Sequence, residues 1–236
     1  MNCRIVFFAI IASLALGGVR SARAGETTVI AFGDSTTAPR GAIAVYPATI
    51  EKALSAKGIR VTVVNAGVPG DTTDDARKRF EKDVLAKKPD TVIIQFGIND
   101  SAVDVWRDPP ATAPRVARKK YEDNLRFFVR TLKKQGVSVI LMTPNPLRWT
   151  DEMKNYYGKP PYQPDAPDGF NLLLNDYVET VKTLSQEEQV LLVDINQAFR
   201  EYGRMPNQSI DDLLIDGIHP NDKGHRLVAD RLLLCF

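Results

Sequence analysis

Cysteine and histidine are scarce in this sequence, two of each among 236 residues. Two cysteines exclude a disulfide-stapled scaffold and any cysteine-rich zinc or iron–sulfur module. Two histidines, with no H-E-x-x-H pair, argue against a metal site and leave few imidazoles for any chemistry. Excess charge of one sign is also missing, with 31 Lys and Arg against 29 Asp and Glu. The basic clusters Lys87-Lys88, Arg118-Lys119-Lys120 and Lys133-Lys134 lie in or beside helical patterns that also carry acids. That is the pattern of a solvated helix face, and no zinc finger, RNA-binding aromatic motif or basic tail accompanies it. Nucleic acid is not an expected partner.

Long apolar runs are absent too, except at the N-terminus. Residues 1–24 combine Arg4, the run Ile5 to Leu16, and Ala22-Arg23-Ala24, a small-x-small cleavage pattern. The run is short for a membrane span and no stop-transfer pattern follows it. Cys3 precedes the run, so no lipobox cysteine follows. The expectation is a cleaved signal peptide over 1–24, an exported domain over 25–236, and no membrane span after cleavage. A retained N-terminal anchor is the alternative. Taking Arg4, Arg20 and Arg23 from the 31 bases leaves 28 against 29 acids, and Cys235 becomes the only thiol. Within Leu232-Leu-Leu-Leu-Cys235-Phe236 it is expected to be buried. Asn207-Gln-Ser209 matches a glycosylation acceptor, a motif too short to weigh alone. Oligomeric state has no signature in the sequence.

What is present is an alternation. Thr28–Phe32, Val61–Val64, Thr91–Phe96, Val137–Met142 and Val190–Val193 are short, β-branched and apolar on successive residues, as in strands buried on both faces. Helical patterns span Tyr46–Lys57, Thr73–Lys87, Arg115–Gln135, Phe170–Glu187 and Asp222–Leu234. Gly58 and Gly136 mark helix ends, and Asp71-Thr72 can cap the second helix. Such βαβ alternation predicts an α/β fold, a parallel five-stranded sheet with helices on both faces, and chemistry beyond the strands' carboxyl ends. The stretch Asn145 to Gly169 breaks the rhythm with prolines and the aromatics Trp149, Tyr156, Tyr157 and Tyr162. It is long for a connection, and reads as a flap over the site or as a packed surface Ω-loop.

Polar blocks follow the apolar runs: Gly33-Asp34-Ser35, then Asn65-Ala-Gly67-Val-Pro-Gly70-Asp71, then Gly97-Ile-Asn99-Asp100, and late in the chain Asp216-Gly-Ile-His219-Pro220. Each alone is also ordinary turn chemistry. Together they supply a hydrolytic acyl-transfer site. Ser35 is the candidate nucleophile, His219 its base, and Asp216 the group that orients the imidazole across a turn at Gly217. The Ser35 and Gly70 N–H groups and the Asn99 amide are candidate oxyanion donors. His225 falls inside the last helical pattern, where a solvated or packed face is its expected place. Activity is expected to rise with pH as the catalytic imidazole loses its proton.

These blocks resemble those of the SGNH (GDSL-type) hydrolases, in family order and spacing, from about Thr28 to the C-terminus. The resemblance implies a flavodoxin-like three-layer α/β/α sandwich and a metal-independent Ser-His-Asp esterase without cofactors. It also implies oxyanion donors at Ser35, Gly70 and Asn99. The G-x-S-x-G elbow of the other large serine-esterase fold is absent. The substrate expectation is a small-molecule or glycan ester, with an acetyl or short acyl group leaving a carbohydrate. Asp34, Trp149, Tyr156 and Tyr157 are candidate substrate contacts, since aromatic rings suit sugar faces and acyl chains alike. A lysophospholipase or thioesterase, an O-acetyltransferase on the same fold, and a non-catalytic glycan-binding module are the alternatives.

Overall fold

The structure, a computed structural model, describes residues 26–236. The segment read as an export signal lies outside the described residues. The apolar runs form β1 (Thr27–Gly33), β2 (Val61–Gly67), β3 (Thr91–Gln95), β4 (Ser138–Met142) and β5 (Leu191–Val193). All pair in parallel, in the order β2-β1-β3-β4-β5. The helices are α1 (Tyr46–Ala56), α2 (Thr73–Asp83), α3 (Ile98–Ser101), α4 (Arg118–Lys134), α5 (Asp151–Tyr157), α6 (Leu172–Glu187), α7 (Ile195–Gly203) and α8 (Asp222–Leu232).

The period-two pleat divides the strand residues between two cores. Ile30, Phe32, Val92, Ile94, Val139 and Leu141 face α2, α4 and α6. Val29, Ala31, Ile93, Ile140 and Met142 face α1, α7 and α8. Both faces of the central strands are therefore covered, which is why their sequence is apolar at every position. Phe32 sits among Phe80, Phe96 and Phe128, with ring centroids 5.2–5.7 Å away. This is the three-layer α/β/α sandwich that the resemblance implies.

The order in which strands are added reverses between β1 and β3, the switch point at which the loops after the two strands diverge and leave a crevice. The register sets Gly33 level with both Gly67 and Gln95. Segments 34–37, 68–71 and 97–101 therefore leave the sheet at one level around that crevice.

Several helix limits differ from the sequence expectation. The second helix stops at Asp83, and a 3₁₀ turn over Leu85–Lys87 follows, closed by Lys88 in the left-handed region ahead of Pro89. Thr72 alone caps α2, in a reciprocal capping box with Asp75. The helix expected from Arg115 starts at Arg118 instead, as α4. The helix α7 is a finding of the structure: it follows β5 directly, and Asp194 caps it by accepting from Gln197 N. Cys235 is only part-buried, because it lies in the last turn at the edge of the core.

The aromatic stretch is packed. It contains α5, and Trp149, Tyr157 and Tyr162 build a third small core with Val103, Val105, Leu147 and Leu174 beyond the strand ends. Trp149 lies parallel on Phe170 at 4.4 Å, and the Tyr162 hydroxyl accepts from Val103 N at 2.8 Å.

His225 is the packed histidine, 2% exposed, with Nδ1 accepting from Tyr46 N. Burial pulls its imidazole down to about 4 from 6.5. Between those values the unfolded chain binds a proton that the folded chain excludes. Stability is therefore full above about 6.5 and declines as pH falls toward 4, by on the order of 3 kcal/mol. Urea unfolding at stepped pH is expected to show this slope in the wild type and a flatter one in His225→Gln. Parallel slopes would remove His225 as the cause.

Candidate active site

Ser35 stands on the turn that ends β1. Asp34 shapes that turn: its Oδ1 accepts from Thr36 N and from Thr36 Oγ1, both at 2.8 Å, and its carbonyl accepts from Thr37 N and Ala38 N. With 1% exposure it offers substrate no surface, which corrects its reading as a substrate contact. Burial raises its carboxyl against the Thr36 hydrogen bonds, and its contacts hold the turn that carries Ser35.

Arg79 ties the first two blocks together from below. It donates to the carbonyls of Gly33 and Ala66 and to Asp71, and lies over the Phe32 ring at 4.6 Å. One cation thus joins the ends of β1 and β2 to the loop that carries Gly70.

Segment 216–219 reaches Ser35 from the far end of the chain. Gly217 has φ +82°, and a Cβ there would lie 2.3 Å from the Arg148 carbonyl, so only glycine fits this turn. Arg148 N donates to the Gly217 carbonyl at 2.8 Å, and Asn145 Nδ2 to the Ile218 carbonyl at 2.9 Å. The tightened turn points the Asp216 carboxylate back at its own segment. Oδ1 accepts from Ile218 N and His219 N, and Oδ2 lies 2.7 Å from His219 Nδ1. The other ring nitrogen, Nε2, lies 2.9 Å from Ser35 Oγ. Burial alone would raise the Asp216 carboxyl, but the hydrogen bonds from the His219 ring and backbone and from Ile218 outweigh it and hold the group well below the usual carboxylate range.

Asn99 opens on the same crevice. Its Nδ2 donates to the Asp71 carbonyl at 3.0 Å, and its Oδ1 accepts from Arg115 Nη1 at 3.1 Å. Arg115 is itself clamped on Asp104, with Nε and Nη2 2.7–3.1 Å from the carboxylate. The carboxamide is therefore held at both ends, one amide hydrogen remains, and a cation polarises the group. The neighbouring Asp100 accepts from Thr73 N and Thr73 Oγ1, joining this turn to the start of α2; burial lifts its carboxyl to about 7. The N–H groups of Ser35 and Gly70 meet no protein acceptor among the described residues. Gly70 has φ +84°, a conformation open to glycine at little cost.

Beside Ser35 and His219 lies a cavity of about 90 Å³, walled by Ile98, Ala102, Leu147, Tyr157, Tyr162, Phe170 and Leu174 among others. Of the aromatics proposed as contacts, Tyr157 lines it. Trp149 does not: its ring is spent on Phe170, and its Nε1 donates to the Ala166 carbonyl. Tyr156 is half-exposed on the outer side of α5. The sequence reading missed Phe170 and Tyr162 as wall residues, and it missed Arg115. Among the described residues no cluster of three His, Cys, Asp or Glu is placed to hold a metal ion.

A serine hydroxyl, an imidazole and a carboxylate in hydrogen-bonded series, with free N–H donors nearby, form an acyl-transfer arrangement. A family model of the GDSL-like lipase/acylhydrolases matches residues 31–227. The chain belongs to that family. This GDSL-type protein is a serine ester hydrolase. It is 33% identical to YqeF, a Bacillus subtilis protein described as an uncharacterized lipoprotein, over 87% of this chain and 88% of that one. It is 33% identical to an acetylxylan esterase of Geobacillus stearothermophilus over 75% of this chain and 71% of that one. A crystal structure of an acetylxylan esterase from the same organism superposes with a TM-score of 0.71 at 28% identity, covering 88% of this chain and 93% of that chain. Among the described residues no helix is long and apolar enough to cross a membrane.

Proposed function

We propose that this hydrolase removes acetyl groups from a carbohydrate outside the cytoplasm, with Ser35, His219 and Asp216 as its triad. The observation that carries the mechanism is the unbroken series from Ser35 Oγ to His219 Nε2 and from His219 Nδ1 to Asp216. Ser35 Oγ attacks the ester carbonyl while Nε2 takes its proton. The carbonyl oxygen becomes an oxyanion received by the Ser35 and Gly70 N–H groups and the Asn99 amide. Collapse expels the sugar alkoxide, which takes the proton from Nε2. Water then attacks the acyl-enzyme by the same steps, releasing acetate and freeing Ser35.

The small cavity favours a short acyl group. Its volume of about 90 Å³ is far below the ~300–1,000 Å³ of pockets that enclose drug-sized ligands. A long acyl chain would remain largely in water. The similarity to acetylxylan esterases supports the carbohydrate part. The N-terminal pattern of residues 1–24 supports export, with residues 25–236 as the mature catalytic unit. Acetate release from acetylated xylo-oligosaccharides, compared with hydrolysis of lysophospholipids and of aryl esters of rising chain length, tests this reading. Preference for long chains would overturn it. Acetyl transfer to a sugar hydroxyl that outruns hydrolysis would make the protein a transferase.

Asn99→Ala is expected to lower kcat by about 10²–10³, the cost of one oxyanion donor. Arg115→Met, which leaves the Asn99 amide unpolarised and held only by its bond to the Asp71 carbonyl, is expected to lower kcat by about 10–100-fold, as for the loss of a charge-assisted hydrogen bond. Because Arg115 acts through Asn99, it is a positioning residue. In the Asn99→Ala background, Arg115→Met should add little. Additive losses would show that Arg115 matters for another reason.

A further inference from the structure

Beyond the cavity lies a second, open recess of about 600 Å³, bordered by Gly70, Thr72, Asp104, Arg107 and Arg115. It meets the cavity at Arg115, which lines both. The loop that forms its rim has an unusual burial pattern. Val103, Asp104 and Val105 are at most 2% exposed, and the next residue, Trp106, is 47% exposed.

This exposed indole is braced. Asp104 pairs with Arg107 at 2.7 Å, and the Arg107 guanidinium lies 5.4 Å from the Trp106 ring centroid. Tyr156 meets the ring edge-on, with centroids 6.5 Å apart and planes at 85°. Tyr156 in turn adjoins Tyr157, which lines the catalytic cavity. The Trp106 Nε1–H meets no protein acceptor among the described residues. A large aromatic held in water by neighbouring groups forgoes the burial that normally stabilises it, while keeping a flat apolar face and a free donor available.

We propose that Trp106, braced by Arg107 and Tyr156, is a sugar-binding platform, and that the recess bordered by its chain neighbours Asp104 and Arg107 holds a neighbouring sugar ring of the acetylated oligosaccharide. The chemistry fits a pyranose. Its axial C–H face packs on the indole, while its hydroxyls meet Nε1–H and the exposed Arg107 guanidinium at the rim. Two rings flanked by charged residues are too small a patch for a stable protein interface, which buries about 1,200–2,000 Å². The proposal rests on the carbohydrate-ester reading above and adds to it a subsite beyond the ester-bearing unit.

The test compares acetylated xylo-oligosaccharide with 4-nitrophenyl acetate on the intact protein, for wild type, Trp106→Ala and Trp106→Phe. The ratio of kcat/KM for the oligosaccharide to that for the aryl ester should fall about tenfold in Trp106→Ala, through KM. Trp106→Phe, which keeps an aromatic face, should restore most of it. An unchanged ratio, with wild type deacetylating the oligosaccharide, would overturn the platform and leave the parent reading intact. Wild type that hydrolyses the aryl ester and releases no acetate from the oligosaccharide would remove both. If both substrates suffer equally, or sedimentation velocity shows a loss of assembly in Trp106→Ala, the residue shapes the fold or an interface and the proposal fails.

Discussion

Ser35→Ala is expected to lower kcat for ester hydrolysis by about 10⁴–10⁶, with a melting temperature close to that of the wild type. The magnitude follows from what is removed: without Oγ no acyl-enzyme forms, and only binding and the oxyanion donors remain. The stability expectation follows from the surroundings. The turn is held by Asp34, whose carboxylate and carbonyl bond to Thr36, Thr37 and Ala38, and by Arg79 beneath Gly33. Among the described residues, Ser35 Oγ has one side-chain partner, His219 Nε2. Losing it leaves the turn intact. The decisive measurement is labelling by a fluorophosphonate, read by intact mass. Wild type should gain one adduct, and Ser35→Ala none. A variant that keeps a hundredth of wild-type activity, or that still labels, would place the nucleophile elsewhere.

Asp216→Asn is expected to lower kcat by about 10⁴. The sequence leaves open a milder loss, with a backbone carbonyl sharing the task of orienting His219. The structure removes that option, because Asp216 Oδ2 is the acceptor at His219 Nδ1 and no carbonyl takes its place among the described residues. The direction in which the substituted carboxamide would turn is also set. The N–H groups of Ile218 and His219 point at the Oδ1 position, so the amide oxygen would go there. The NH₂ would then face Nδ1 and force it to be the acceptor. The ring proton would move to Nε2, the atom that must accept the Ser35 proton.

The pH dependence carries a sign. Hydrogen bonds hold the Asp216 carboxyl below its unfolded value of 3.8, so its contribution to stability is present above that value and is lost only as pH falls further. The acid limb of a kcat/KM profile should therefore not report the loss of Asp216. A second acid transition near 4 that appears in the wild type and vanishes in Asp216→Asn would contradict this.

Legibility in the sequence followed the range of the interactions. The strands were readable because burial on both faces makes Val29–Phe32 or Val92–Ile94 apolar at every position. The turn from Asp216 to His219 was readable because its parts lie within four residues and require a glycine at 217. The short helix α7 was missed because only its capping residue, Asp194, separates it from β5. In the sequence Arg115 stands at the start of a helical pattern. Nothing beside it in the chain tells that its guanidinium reaches Asp104 and Asn99. Trp149 and Tyr157 look alike in sequence, an aromatic in a proline-rich stretch, yet one packs on Phe170 and the other walls the cavity.

The scarcity of histidine narrowed the base to two candidates, and local pattern favoured His219. By itself the sequence determined the alternating elements, their order, and which polar blocks stand at strand ends, since these depend on periodicity and turn chemistry between near neighbours. The tertiary structure decided what meets at the crevice: His225 under Tyr46, Arg115 on the Asn99 amide, the aromatic wall of the cavity, and Trp106 left in water. Those outcomes depend on contacts between segments distant in the chain, where packing and desolvation, not local propensity, choose which partner each side chain takes.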